Sequence, residues 1–351
     1  MTMESTSLKL TQFSKGGGCG CKIAPSVLQE ILQGPAQDSF PSLLVGHGSN
    51  DDAAAWLLQG DDVIISTTDF FVPIVDDPFD FGRIASANAI SDVYAMGGKP
   101  VMAIAILGWP VEKLPVAAAQ QVLAGARAIC KEAGIPLAGG HTIDSSEPIF
   151  GLAVTGQVKQ INLKRNNTAR EGDVLFLTKS LGVGIFSTAL KRGLLEDAHY
   201  APLIAQMTSL NKVGAALGAI DGVHALTDVT GFGLLGHLLE MAEGSGLGAE
   251  LDYGKLPMMD GLDTYLKQRT LPDATFRNWN SYNKEVAFDK GVNVMEAFNL
   301  LPDPQTNGGL LIAVAPEAQD EVQRLLKGEG LYAEPIGRFT AAGEKRLRVL
   351  A

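Results

Sequence analysis

The sequence predicts an α/β protein of two domains, and three observations carry that prediction. The chain has 351 residues, more than one hydrophobic core usually serves. Short β-branched runs alternate with longer helical patterns along most of it. A polar, basic stretch at 162–173, containing Asn166-Asn167, interrupts the alternation once, and a fresh strand pattern begins after it. The segments read as a flexible glycine-rich N-terminal stretch (1–45), a first domain (46–160) and a second domain (173–351).

The elements follow in order. Ser26 to Leu32 is amphipathic and follows Pro25, a helix start. Val63 to Thr67 is an apolar, β-branched strand expected to stop at Thr68-Asp69. Phe81 to Met96 lacks proline and places Ile84, Ala87, Ile90 and Val93 near helical spacing, and Gly97-Gly98-Lys99-Pro100 ends it. Val101 to Leu107 is a strand closed by Gly108-Trp109-Pro110. Val116 to Ala133 is an alanine-rich helix stopped by Gly134. Ile135 to Ala138 and Ile149 to Val158 are strands. In the second domain, Val174 to Thr178 is a strand, Gly182-Val183-Gly184 leads into a helix to Lys191, and helices are expected near 205–219 and 232–244. Strands are expected near Ala249 to Leu251 and Leu310 to Val314. The stretch 260–300 is weakly periodic and receives no assignment.

Composition narrows the function classes. Forty glycines, about 11% against a typical ~7%, indicate many tight turns and close approaches of backbone to ligands. The net charge of −11 and the lack of any Lys/Arg-rich run argue against direct nucleic-acid binding. No apolar run approaches the ~20 residues of a membrane span, and the N-terminus lacks a signal-peptide pattern. Three cysteines make no disulfide framework, so the cytoplasm is the expected compartment.

Aspartates sit where metal and phosphate chemistry would use them. Asp51 and Asp52 follow the turn-like Gly48-Ser49-Asn50. Asp69 follows a strand, and Asp92 lies one helical turn from Asn88. Asp228 lies in Leu226-Thr227-Asp228-Val229-Thr230-Gly231. Mg²⁺ takes a few carboxylates plus substrate phosphates, and phosphoryl transfer needs mainly positioning and charge neutralisation. Each aspartate taken singly reads better as a turn cap, a strand end or a solvated helix residue, and the sequence alone does not bring them together. Gly139-Gly140-His141-Thr142 after a strand offers free N–H groups and a hydroxyl. His237 in a helical pattern and Asp303 to Gly309 before a strand read as structural.

Ser14-Lys15-Gly16-Gly17-Gly18-Cys19-Gly20-Cys21-Lys22-Ile23 is not a P-loop: Cys21 and Ile23 break the motif, and no strand precedes it. Zinc would want four ligands, and a Cys19–Cys21 disulfide would be a strained ring. A reactive thiol beside Lys15 and Lys22 on a loop, and a tail with incidental cysteines, fit the composition equally well. Cys130, in an apolar helix, reads as a small buried hydrophobe.

Taken together, LTQFSKGGGCGCK, DDAA, the run from Ser66 to Pro100, AGGHTIDSSEPIFGLAVTG, LTDVTGFGLLGH and DPQTNGGLL resemble selenophosphate synthetase, or selenide, water dikinase. The likeness runs from about residue 10 to the C-terminus. It implies a two-domain aminoimidazole ribonucleotide synthetase-like fold with mixed sheets, working as a homodimer. It implies the conversion of ATP, selenide and water to selenophosphate, AMP and orthophosphate with Mg²⁺, with K⁺ as a second candidate ion. The product would donate selenium to selenocysteine and selenouridine synthesis, and a selenium-delivery protein is a candidate partner. By motif, Cys19 takes the catalytic Cys or Sec position and Lys22 that of the essential lysine. Asp52, Asp92 and Asp228 match the Mg²⁺ ligands. Lys22, Ser49, Asn50, Asp51, Asp69 and Asp92 match positions at the nucleotide, and Gly140, His141 and Thr142 would reach it across the dimer. Asn307 stands where the family more often has Ser. Two alternatives remain: a ligase of the aminoimidazole ribonucleotide synthetase type, and a non-enzymatic carrier using Cys19 and Cys21.

Overall fold

The computed structural model describes residues 8–14, 16–23, 25–32, 40–46 and 51–351. Lys15 and the expected nucleotide contacts Ser49 and Asn50 lie outside them. The first helix, α1, spans Pro25–Leu32.

Six strands form the first sheet: β1 (Leu43–Val45), β2 (Ala54–Leu57), β3 (Asp62–Phe71), β4 (Lys99–Trp109), β5 (Leu137–Asp144) and β6 (Ile149–Lys159). Their order is β1-β2-β3-β6-β4-β5, antiparallel except for β4 beside β5. On β3, Val63, Ile65 and Phe71 are buried while Ser66, Thr68 and Phe70 are exposed, the alternation a one-sided sheet demands. Thr67 and Asp69 belong to the inward row. The strand therefore does not stop at Thr67: β6 pairs with β3 along its whole length, from Asp62↔Lys159 to Phe71↔Phe150. Gly139 to Thr142 likewise lie inside β5, not in a loop after it, because β4 continues through Trp109 and supplies ladder partners as far as Asp144.

Helices α2 (Pro78–Ala95) and α3 (Val116–Glu132) cover the inner face. The Asp77 side chain accepts the Asp80 N–H at 2.8 Å and Pro78 fills the first turn, which fixes where α2 begins. The two helices cross closely: a Cβ on Gly82 would sit 1.9 Å from the Val122 carbonyl, and one on Gly125 would sit 2.0 Å from that of Phe79. Because α2 also contacts the second domain, it is buried all round, and even Ser86, Asn88 and Ser91 are fully buried.

The second sheet has seven strands: β7 (Val174–Leu177), β8 (Val223–Asp228), β9 (Leu247–Asp252), β10 (Val286–Phe288), β11 (Leu310–Val314), β12 (Gly337–Ala341) and β13 (Leu347–Leu350). Their order is β10-β13-β9-β12-β7-β11-β8, with parallel pairs β10/β13 and β13/β9, so this sheet is mixed too. Helices α4 (Val183–Lys191), α5 (Asp197–Thr208), α6 (Val213–Gly218) and α7 (Gly233–Gly244) follow the early strands. The single helix expected near 205–219 is two, α5 and α6. The unassigned region contains α8 (Leu262–Lys267), α9 (Asp273–Tyr282), β10 and α10 (Val294–Leu300), and α11 (Gln319–Gly328) comes later.

The polar stretch 162–173 is not a loose tether. Lys164, Asn166 and Asp173 are buried, and the Lys164 ammonium donates to the carbonyls of Ile220 at 3.0 Å and Val223 at 2.8 Å. Asn211 ties the domains from the other side, donating to Ser91 Oγ at 2.8 Å and to the Gly308 carbonyl at 2.9 Å. Among the described residues no helix is long and apolar enough to cross a membrane.

Candidate active site

The site forms where β3 and α2 of the first domain meet the end of β8 in the second. A cavity of about 350 Å³ is lined by Lys22, Asp51, Asp52, Thr67, Asp69, Asp92 and Asp228, with Thr230, Phe232, His237 and Glu240 on the second domain's side. Residues far apart in sequence converge for simple reasons. Thr67 and Asp69 alternate inward on β3. Asn88 and Asp92 stand one turn apart on α2 beneath them. Asp228 ends β8, an edge strand, and Asp51 and Asp52 precede β2.

Hydrogen bonds fix some carboxylate oxygens and leave others free. Thr67 Oγ1 donates to Asp92 Oδ2 at 2.5 Å, and Thr227 Oγ1 donates to Asp52 Oδ1 at 2.8 Å. Asp51 accepts the backbone N–H groups of Asp52 at 3.1 Å and Asn166 at 3.3 Å. Asp52 Oδ2 and Asp228 Oδ2 are buried without any hydrogen-bond partner. Burial first, then the neighbouring carboxylates, push the Asp52 and Asp92 carboxyls well above the usual range. Burial raises Asp51 and Asp228 to about 6. Crowded carboxylates with orphaned oxygens are the donor set a hard cation takes. Among the described residues no three such side chains are gathered as a ready-made metal cage. That suits an ion which uses one or two carboxylates and completes its shell with water and phosphate.

The cysteine loop closes one side of this cavity. Gly18–Cys21 forms a 3₁₀ turn and Lys22 follows it. Gly18 has φ +51°, and a Cβ there would lie 2.4 Å from Thr306 Oγ1, so only glycine lets the turn seat. The Gly18 N–H donates to the Val72 carbonyl at 3.1 Å, and the Cys19 N–H donates to Thr306 Oγ1 at 3.1 Å, so the turn is held by both domains. Lys22 Nζ lies 3.7 Å from Asp69 Oδ1, and that carboxylate keeps its ammonium charged far above neutral pH.

Asn88 is the hub beneath the turn. Its Oδ1 accepts the Cys19 thiol at 3.1 Å and the Asn307 N–H at 2.7 Å, and its Nδ2 donates to Asp69. Cys19 is 1% exposed. Burial, then the Asp69 carboxylate, push its thiol up, and Lys22 only partly opposes them. In this closed arrangement Cys19 is therefore a thiol despite the neighbouring Lys22 ammonium. Cys21 is exposed while Cys19 is buried, so the two do not present a joint soft-metal site, and all three cysteines are free. Cys130 is buried in α3.

Of the expected residues, the structure brings together Lys22, Asp51, Asp52, Asp69, Asp92 and Asp228, with Cys19 against Asn88 and Asp69. It does not bring Gly140, His141 or Thr142 to the cavity. They lie exposed on β5, three strands from β3, roughly 14 Å at ~4.8 Å per strand. Two segments read as structural prove central. Asp303, Gln305, Thr306 and Asn307 are all buried rather than forming a surface turn: Thr306 and Asn307 bond Cys19 and Asn88, while Asp303 and Gln305 accept N–H groups at the start of α4. His237 lines the cavity, stacks on Phe232 with ring centroids 5.7 Å apart, and is held neutral by burial, its pKa lowered to about 3. Glu240 beside it is raised to about 8 by burial. Neither signal was available from spacing. Thr67 and Thr227 were legible only as neighbours of aspartates.

Comparison with known proteins supplies the family. Residues 50–158 match the N-terminal domain of AIR synthase related proteins, and residues 170–350 match the C-terminal domain. A selenide, water dikinase of Aeromonas hydrophila is 53% identical over 339 residues, covering 96% of each chain. Those of Colwellia psychrerythraea and Pseudomonas aeruginosa are each 52% identical, covering 99% of this chain and all of theirs. Among solved structures, thiamine-monophosphate kinase from Stenotrophomonas maltophilia aligns with a TM-score of 0.65 at 22% identity, over 88% of this chain and 91% of that one. Hydrogenase maturation protein HypE aligns with a TM-score of 0.66 at 20% identity, over 89% and 88%. These two share the fold, whereas the full-length identities above 50% decide the family: the chain belongs to the selenide, water dikinases, on the two-domain AIR synthase-like fold.

Proposed function

We infer that this chain carries out the selenide, water dikinase reaction, making selenophosphate from selenide and ATP with AMP and orthophosphate as the other products. Two phosphoanhydride bonds break per turnover; one phosphoryl group goes to selenium and the other to water. The observation that carries the reading is a single juxtaposition. Cys19 and Lys22 share one turn, and that turn closes on a cavity of buried carboxylates with orphaned oxygens.

Asp52, Asp92 and Asp228 would hold Mg²⁺, which would neutralise the charge of the ATP phosphates. The fit rests on the unpartnered Asp52 Oδ2 and Asp228 Oδ2. The protein's own groups do the rest. Lys22, charged at every working pH, stabilises charge that develops on the transferred phosphoryl group. Asp69 steers Lys22 and, through Asn88, orients Cys19. When the turn lifts from Asn88 and Asp69 the thiol would lose its proton to solvent, leaving a thiolate beside Lys22. Closure of the turn then excludes water from the first transfer.

A homodimer completes the site in this reading. The outer face of the first sheet exposes Phe70, Met102, Ile104 and Ile143, an apolar surface suited to a second copy. Paired across that face, β5 would carry Gly140, His141 and Thr142 toward the partner's nucleotide. The chain would act in the cytoplasm. K⁺ would serve as an additional ion, and a selenium-delivery protein is a candidate partner. The test is stoichiometric: anaerobic incubation with ATP and selenide is expected to release one AMP per selenophosphate, strictly selenide-dependent. ADP accumulation without selenophosphate would overturn the reading.

A further inference from the structure

A second cavity, about 330 Å³, lies on the other face of the cysteine turn. It takes Gly16, Gly17 and Gly20 from the loop that carries Cys19 and Thr306 from the segment that seats it, and shares no lining residue with the acidic cavity. Its character is the reverse. Lys191, Arg192 and Arg277 line it against one carboxylate, Asp273. Among the described residues none of the three cations is paired with a carboxylate.

Their donors go to backbone carbonyls instead. Lys191 Nζ donates to Ser14 and Gly16, each at 3.0 Å, and Arg277 donates to Gly20 at 2.9 Å. Arg192 donates to Arg269 at 3.0 Å and Leu271 at 3.3 Å. A guanidinium has five N–H groups, so both arginines keep donors to spare. Ser187 adds an independent observation. It lines the same cavity, is only 8% exposed, and its hydroxyl has no hydrogen-bond partner. A buried, unpaired hydroxyl is costly unless something visits it.

We propose that this cavity is a binding site for a small soft monoanion, the selenium substrate as hydroselenide, held there behind the turn of Cys19 before it meets the phosphoryl group it accepts, with no change in the oxidation state of selenium. The proposal rests on the selenide-using reading of the acidic cavity. Hydroselenide is a monoanion at neutral pH, and a bare anion is repelled by the carboxylates around Asp52 and Asp228. The nucleotide and its cation would also block that side. The basic side is open, and Gly20, the residue after Cys19, is part of its wall. Lys191 and Arg277 are also the side chains that clamp the loop. An anion drawing on their donors competes with the loop carbonyls, so filling the cavity loosens the turn that buries Cys19.

The test uses the full-length protein and thiocyanate, an inert soft monoanion. With the wild type, thiocyanate is expected to compete with hydroselenide and to leave the KM for ATP unchanged. Arg277→Gln and Ser187→Ala should each raise the KM for hydroselenide by about tenfold, or ~1.4 kcal/mol, with the KM for ATP within about twofold of wild type. Binding is read separately, without nucleotide or selenium, from the shift of the thiocyanate nitrile stretch, which the two variants should abolish. Competition of thiocyanate with ATP, an unchanged hydroselenide KM in both variants, or a nitrile band indifferent to both substitutions would each overturn the proposal. Ser187→Ala removes one unpaired oxygen and carries the test should Arg277→Gln misfold. If the wild type makes no selenide-dependent AMP, the enzymatic reading fails, while the nitrile result still decides the anion site.

Discussion

The two cavities flanking the cysteine turn are nearly equal in size, about 350 and 330 Å³, and opposite in charge. One is walled by buried carboxylates that raise one another's pKa values. The other is walled by cations that, among the described residues, pair with no carboxylate. A thin turn of glycines and two cysteines, only one of them buried, divides them. On the proposed reading, the contrast teaches how the fold would keep two anionic reactants apart: one side would take a cation that brings the polyphosphate, and the other would receive an anion directly. It also locates the cost. Burying like charges opposes folding, so the acidic side is held together against its own electrostatics by the sheets and α2.

The largest effect should come from neutralising the acidic side. Asp228→Asn is expected to lower selenide-dependent AMP release by roughly 10³-fold or more, ~4 kcal/mol of transition-state stabilisation. The same change should raise the stability of the metal-free protein by about 1 kcal/mol, because it removes a buried like charge. Urea denaturation without divalent cations checks the second half. A variant both inactive and less stable would mean that Asp228 serves the fold rather than the cation.

Cys19→Ser is the next step, on the turn between the cavities. Selenide-dependent AMP release should fall by roughly 10²-fold, within the range for losing an activated nucleophile. Binding of Mg-ATP, measured by calorimetry, should stay unchanged, because Cys19 does not line the acidic cavity. Loss of nucleotide binding in this variant would erase the division of labour between turn and carboxylates.

How much of this contrast the sequence carried depends on the kind of signal. The strands Ile149–Lys159 and Leu310–Val314 and the helices α2 and α3 were legible, because apolar period and Gly or Pro stops are local properties. The short strands β1, β2, β10, β12 and β13 were not, since runs of 3–5 residues pair only through partners distant in sequence. The carboxylates were legible as residues but not as a cluster, which only the meeting of β3, α2 and β8 creates. The basic cavity was invisible. Lys191, Arg192 and Arg277 sit on α4, at its C-terminal end and on α9, and nothing in their spacing relates them. Asp303 to Asn307 looked like a surface turn because polar residues usually are one. Here each is buried against a donor or acceptor supplied by another segment.

Asn88→Ala should give a smaller, mainly structural effect. It removes the acceptor of the Cys19 thiol and the Asn307 N–H and the donor to Asp69, all at a fully buried position. A loss of about 2–3 kcal/mol is expected from the groups left unpaired. Alkylation of Cys19, followed in a Cys21→Ser background, should become several-fold faster as the turn loses its anchor. An unchanged alkylation rate would show that the clamps on the basic side, Lys191 and Arg277, hold the turn alone.

The smallest effect is the pH dependence of the metal-free protein, and it separates the cavities cleanly. Burial holds Asp51 and Asp228 up to about 6, whereas an unfolded carboxyl titrates near ~3.9. Their folded forms therefore bind protons more tightly. The stability they contribute is full below the unfolded value and is lost as pH rises through about 6. Going from pH 7.5 to 5, Asp51 and Asp228 should stabilise the metal-free protein by about 1–2 kcal/mol, and Glu240, raised to about 8 in the same cavity, should add in the same direction. Saturating Mg-ATP should oppose the slope, because a cation needs the same carboxylates deprotonated, and Asp228→Asn should reduce it by the share of one carboxyl. Denaturant titrations at the two pH values, with and without Mg-ATP, measure all three slopes. A slope that neither Asp228→Asn nor Mg-ATP changes would place its origin outside the acidic cavity and remove the electrostatic half of the contrast.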